Sequence, residues 1–229
     1  MANGKALKRV RIDDLLTFSP ITQNQDKTYK AYKEGKHLVL HGLAGTGKTF
    51  ISLYLALEEI LNKSTLVNDI FIVRSIVSTR DIGFLPGDEQ EKVSIYEAPY
   101  RSICSELFNV VDAYDSLKYQ SNIKFMSTSF IRGITLNNSV IIVDEYQILN
   151  FHELDSIITR IGKHSRIIFC GDYSQTDLSR ENDKKGILKF MGVLSKISEF
   201  ETVEFMVDDI VRSDFLKSYI VAKYKLGYG

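Results

Sequence analysis

The chain has 229 residues, 44% hydrophobic and 25% charged, the balance of a soluble globular domain with enough length to bury a sizeable core. Lys+Arg and Asp+Glu both number 29, so net charge gives no argument for a nucleic-acid or membrane-surface partner, and any basic surface has to be local. There is no apolar run of membrane-spanning length, and Met1-Ala2-Asn3-Gly4-Lys5 lacks the apolar centre of a signal peptide. Cys104 and Cys170 lie in apolar stretches and read as buried free thiols, and the four histidines show no metal-ligand spacing. A cytoplasmic protein is expected, with no membrane partner.

Residues 1–19 begin polar and basic (Lys5, Lys8, Arg9, Arg11) and read as a frayed N-terminal arm. A single domain is expected over 20–229. Pro20 opens a turn, and a helical pattern follows through Tyr29, Ala31 and Tyr32 to Gly35. Gln25 stands near the start of that helix. Its amide can donate and accept, as the edges of adenine require, so it is a candidate base clamp.

His37 to Leu40 reads as a buried strand, and Thr49 to Leu61 repeats apolar residues at helical spacing. Between them, Gly42-Leu43-Ala44-Gly45-Thr46-Gly47-Lys48-Thr49 matches the phosphate-loop pattern G-x-x-x-x-G-K-[ST] in full. The chemistry needs these residue types. The glycines let successive N–H groups turn inward at phosphate oxygens, and the helix start adds its positive end. Lys48 reaches the β- and γ-phosphates, and the Thr49 hydroxyl binds Mg2+. The expected cofactor-binding set is Gln25, Gly42, Leu43, Ala44, Gly45, Thr46, Gly47, Lys48, Thr49, Phe50 and Asp144, with Lys48 facing solvent when no nucleotide is bound.

Asp69 to Val73 is a second buried strand, ending at Arg74. Residues 75–88 read as a loop, and Glu89 to Tyr114 as one long or broken helix, with Pro99 as the expected break. Ile123 to Met126 is a short strand, and 130–133 a turn or short helix. Ser139 to Val143 carries four β-branched residues in a row, which reads as a strand buried on both faces. Asp144 and Glu145 stand at its C-terminal end, where open α/β sheets bind ligands. Asp144 can hold Mg2+ through water, and Glu145 can orient or deprotonate an attacking water. A helix over 151–161, a strand over 166–170, a helix over 184–197, a strand over 202–207 and a helix over 212–225 complete the pattern. Gln175 follows the fifth strand and is a candidate contact to the γ-phosphate. Strands alternating with helices specify a three-layer α/β domain with a mostly parallel central sheet.

From about Pro20 to Tyr224 the residues resemble the PhoH family, single-domain ATPases related to superfamily 1 helicases, with a RecA-like core. The likeness rests on Gln25 after the proline turn, Gly42 to Thr49, Gly83-Phe84-Leu85-Pro86-Gly87-Asp88, Phe130-Ile131-Arg132-Gly133, Asp144-Glu145-Tyr146-Gln147, Thr159-Arg160-Ile161-Gly162, Gly171 to Leu178 and Asp209-Ile210-Val211-Arg212. Leu43 stands where the family's loop has proline, and Tyr146 where its acidic box has alanine. The compactness resembles the short forms found in phage genomes, for which the location would be the host cytoplasm.

The resemblance implies a RecA-like P-loop NTPase using ATP and Mg2+. Lys48, Glu145, Gln175 and Arg212 would be catalytic, Thr49 and Asp144 metal-binding, and RNA or single-stranded DNA a partner. Two other readings of the same loop are a nucleotide-dependent binding switch with little turnover and a nucleotide kinase. The acidic pair and Gln175 suit water attack better than transfer to an acceptor. Because helicases of this core supply arginine from a second RecA-like domain, the expectation here is a homo-oligomer, a ring and possibly a hexamer, with Arg212 (Arg160 second) reaching the neighbour's γ-phosphate.

Overall fold

A computed structural model describes residues 7–76, 89–172 and 181–226. The expected element at Gly83–Asp88 and the candidate Gln175 lie outside the described residues. Among the described residues six strands form one sheet: β1 (His37–Gly42), β2 (Asp69–Arg74), β3 (Ile123–Ser127), β4 (Ser139–Asp144), β5 (Arg166–Gly171) and β6 (Phe200–Phe205). Their order is β3-β2-β4-β5-β1-β6, and every pairing is parallel. Among the described residues seven α-helices cover it: α1 (Gln23–Lys33), α2 (Lys48–Asn62), α3 (Glu89–Phe108), α4 (Ala113–Tyr119), α5 (Phe151–Ile158), α6 (Glu181–Leu194) and α7 (Asp214–Lys225).

Side-chain alternation along the strands sorts the core into two layers. Leu38, Leu40, Ile70, Ile72, Val140, Ile142 and Ile168 pack with α1 to α4, while Val39, Phe71, Val73, Ile141, Val143, Ile167 and Phe169 pack with α5 and α6. All six residues of β4 are buried. Continuous apolar runs therefore mark strands covered on both faces, the condition under which an all-parallel sheet is stable. The result is the three-layer α/β architecture expected, with a sheet that is wholly parallel.

Three local expectations need correction. Pro99 does not break its helix; α3 runs through it to Phe108. Proline removes one i→i−4 bond, but Ile95 and Pro99 lie on the exposed side while Glu97, Tyr100 and Cys104 anchor the helix in the core. The break comes at Asn109, with φ of 50°, a left-handed ending that asparagine tolerates. Helix α5 stops at Ile158, because Ile161 turns into an isolated parallel bridge with Leu136. The N-terminal segment is not frayed over residues 10–18. Val10 is buried, Leu15 and Phe18 pack on the core, and the Leu16 N–H donates to the Leu107 carbonyl at 2.9 Å.

Candidate nucleotide site

The sheet order determines what meets at its C-terminal edge. β5 lies between β1 and β4, so the loop leaving β1 and the acidic end of β4 face one another across the end of β5. Gly171 stands there, and a Cβ on it would lie 2.2 Å from Gln147 Oε1 and 2.8 Å from the Tyr146 ring. No side chain fits between these elements.

The loop takes its shape from glycines with φ of 114° at Gly42, 76° at Gly45 and 84° at Gly47, conformations that disfavour any other residue. Gly42 also passes so close to β6 that a Cβ would meet the Phe205 carbonyl oxygen at 2.1 Å. Helix α2 begins at Lys48, so its N-terminal amides open onto the loop. Thr46 is fully buried and donates to the Leu43 carbonyl at 2.9 Å. Lys48 is not solvent-facing as expected. Its ammonium donates to the carbonyls of Gly42 (2.7 Å) and Leu43 (2.8 Å). Burial lowers its pKa, with Cys170, Asp172, Glu145 and Asp144 partly restoring the charged form.

Thr49 Oγ1 donates to Asp144 Oδ1 at 2.9 Å, and the Tyr100 hydroxyl donates to Asp144 Oδ2 at 2.8 Å. Burial and then Glu145 raise the Asp144 pKa, while the hydrogen bonds from Tyr100 and Thr49 and the charge of Arg74 hold it down. A hydroxyl and a carboxylate in contact are hard oxygen donors of the kind Mg2+ takes while keeping several waters. Thr49 and Asp144 therefore fit that ion. Glu145 adopts a left-handed backbone with φ of 53°, and its Oε2 accepts from Gln147 Nε2 at 2.5 Å. Gln147 Oε1 in turn accepts the Asp172 N–H at 3.1 Å. Gln147 thus ties the acidic pair to the end of β5 and does not point an idle amide at a phosphate.

One cavity of about 740 Å3 collects these groups. Ala44, Gly45, Thr46, Gly47, Lys48, Thr49, Phe50, Gln25, Asp144, Glu145 and Arg212 all line it. Gly42 and Leu43 do not: Leu43 is buried, and both contribute their carbonyls to Lys48. Gln25 is buried with its amide engaged, Oε1 accepting from the Ile21 N–H at 2.9 Å and Nε2 donating to the Thr46 carbonyl at 3.4 Å. Tyr146 lies in the core against Phe169, not in the cavity.

Arg212 lines the cavity of its own chain. It lies against its own chain's loop, where a Cβ on Gly45 would stand 2.9 Å from Arg212 Cγ. The adjacent Val211 N–H donates to the Gly45 carbonyl at 3.0 Å. Among the described residues Arg212 has no ion pair with Asp208 or Asp209. Asp209 instead accepts from Asn24 Nδ2 (2.7 Å) and the Met206 N–H (2.9 Å). Arg160 does not line the cavity.

Phe18, Tyr29, Tyr100 and Arg74 were not anticipated. Phe18 meets Phe50 edge-on at 5.1 Å, and Tyr29 donates to the Phe18 carbonyl, closing the end of the cavity beside Gln25. Arg74 stands at the C-terminal end of a buried strand, the same signal that picked out Asp144.

A family profile described as PhoH-like protein matches residues 17–225. The chain belongs to the PhoH family. This PhoH-family chain is 30% identical over 202 residues to a PhoH-like protein of Synechocystis, covering 88% of the chain and 60% of that relative. It is 31% identical over 189 residues to Protein PhoH of Escherichia coli, covering 79% of the chain and 51% of that relative. The chain thus spans about three fifths of the length of the first relatives it matches. A large terminase of a thermophilic bacteriophage, solved with ADP, aligns with a TM-score of 0.53 at 12% identity over 87% of this chain and 49% of its own. That likeness concerns the fold, a RecA-like P-loop core. Among the described residues no helix is long and apolar enough to cross a membrane.

Proposed function

We propose that this PhoH-family chain binds ATP with Mg2+ in the cavity beside the phosphate loop and hydrolyses its terminal phosphate. The observation that carries the reading is the contact of Thr49 with Asp144 at 2.9 Å, in the same cavity as Lys48 and Glu145. It joins the loop to the acidic pair, which a glycine turn unrelated to nucleotides has no reason to do. The loop amides and Lys48 bind the polyphosphate, and Thr49 and Asp144 hold the metal, Asp144 through water. Bound Mg2+ supplies positive charge to the phosphate oxygens. Glu145 orients and deprotonates water, its carboxylate fixed by Gln147. Arg212 adds charge from the same chain, and Gln175 reports the terminal phosphate.

Coupling to RNA or single-stranded DNA extends the reading and rests on the family resemblance, since net charge adds nothing to it. The chain's own Arg212 lies against the loop and can serve there, and a ring-shaped homo-oligomer in which it serves a neighbour belongs to the same proposal. The cytoplasm, which holds ATP, is the setting this reading fits. A second reading, a binding switch with little turnover, draws on the Gln147 bond that occupies one Glu145 oxygen.

Phosphate release from Mg-ATP, with and without single-stranded RNA or DNA, tests both. Glu145→Gln is expected to bind ATP while turnover falls about 10²- to 10⁴-fold, the usual contribution of a general base. Unchanged turnover in that variant removes Glu145 from the mechanism. No release by nucleotide-bound wild type favours the switch.

A further inference from the structure

Arg74 is a charged group in the cavity that the function above does not use. It is the last residue of β2, and β2 pairs with β4 through Val73↔Val143, so Arg74 and Asp144 follow side by side at the edge of the sheet. It lines the cavity with Lys48, Thr49, Asp144 and Glu145. Its guanidinium lies over the Tyr96 ring of α3 at 5.9 Å from the centroid and shares a hydrogen bond with Tyr100, which leaves further N–H donors of its five for another partner. Its Nε is buried without a hydrogen-bond partner, and a buried unmet donor is costly unless something completes it. Burial disfavours its charge, but Tyr100, Asp144 and Glu145 more than compensate.

We propose that Arg74 is a catalytic residue that contacts the terminal phosphate of the nucleotide bound to its own chain, on the acidic-pair side of the cavity. The argument is one of charge balance and rests on the Mg-ATP reading. With no metal, the carboxylates of Asp144 and Glu145 balance Arg74. Asp144, holding a divalent cation through water, would be balanced by that cation instead. The guanidinium then needs another anion within reach, and the terminal phosphate is the one that Lys48 and Thr49 bring to the same space. Arginine suits the role because its planar fork can give two N–H groups to phosphate oxygens. This differs from a neighbour's arginine, because the group comes from β2 of the same subunit.

A bland alternative exists: Arg74 serves only as counter-ion to the acidic pair. The two part company on nucleotide selectivity. The experiment measures the affinities of Mg-ADP and of a non-hydrolysable Mg-ATP analogue for wild type, Arg74→Ala and Arg74→Lys by calorimetric titration, beside Mg-ATP turnover. Contact with the terminal phosphate predicts that Arg74→Ala weakens the analogue by at least about tenfold, the scale of a charge-assisted hydrogen bond, and ADP by far less. Turnover should fall by about 10³-fold or more and be independent of protein concentration, with Arg74→Lys intermediate. Equal weakening of ADP and the analogue overturns the proposal and leaves the ATPase reading standing. A wild type that binds neither nucleotide removes both. If Arg74→Ala melts early, Arg74→Lys and Arg74→Gln carry the same selectivity test, and loss of selectivity in neither sinks the proposal.

Discussion

Replacing Tyr100 with phenylalanine removes one oxygen and leaves one Asp144 oxygen without its donor. Tyr100 is 1% exposed and Asp144 5% exposed, so water cannot easily substitute, and the ring is kept, so packing changes little. A hydrogen bond to a charged group contributes about 1.5–3 kcal/mol. For a domain of this size each kcal/mol moves the melting temperature by about 2–4 °C, so Tyr100→Phe should lower it by roughly 3–12 °C. The source of the loss can be isolated. In an Asp144→Asn background the acceptor is neutral and the same bond contributes only about 0.5–1.5 kcal/mol. A double-mutant cycle by urea unfolding should therefore show a coupling of roughly 1 kcal/mol. A loss below about 0.5 kcal/mol, or the same loss in both backgrounds, would refute the idea that Tyr100 supports a buried carboxylate.

Lys48→Ala should weaken nucleotide binding by at least about tenfold, through lost charge-assisted bonds, while the far-ultraviolet spectrum and cooperative unfolding are kept; unchanged affinity in a binding titration contradicts the loop assignment. Stability should fall in mild acid. His37 Nδ1 accepts the Ile167 N–H at 3.2 Å; burial and then Arg166 lower its pKa, and burial also lowers that of His41. Folded values below the ordinary 6.5 mean that the unfolded chain takes up protons first. This contribution is therefore intact above about pH 6.5 and is lost as pH falls through the folded values. Denaturant unfolding from pH 7.5 to 5 measures it, and a profile independent of pH in that window contradicts it.

The features legible in the sequence were those written locally. The phosphate loop is a contiguous pattern, and Ser139 to Asp144 announces a doubly covered strand by β-branching alone. Arg74 and Tyr100 were missed because their importance depends on β2 lying beside β4 and α3 crossing above, an order of strands that spacing along the chain does not encode. Pro99 misled for a related reason: the local rule was outweighed by core anchors on both sides. The nearness of Arg212 to Gly45 of its own chain is not legible either, because it depends on the path of the turn after β6.

That return has a consequence for how the protein matures. Leu43 N–H donates to the Phe205 carbonyl at 3.0 Å, Val211 N–H to that of Gly45, and Asn24 Nδ2 reaches Asp209 across 185 positions. The loop is thus finished by residues that leave the ribosome more than 150 positions after it. Contacts of such separation form late, because the entropy of closing the intervening chain must be met first. Nucleotide should accordingly be of no help to the early collapsed chain. On the proposed function it would act at the final step, drawing the equilibrium toward the completed fold by mass action once the last strand is in place.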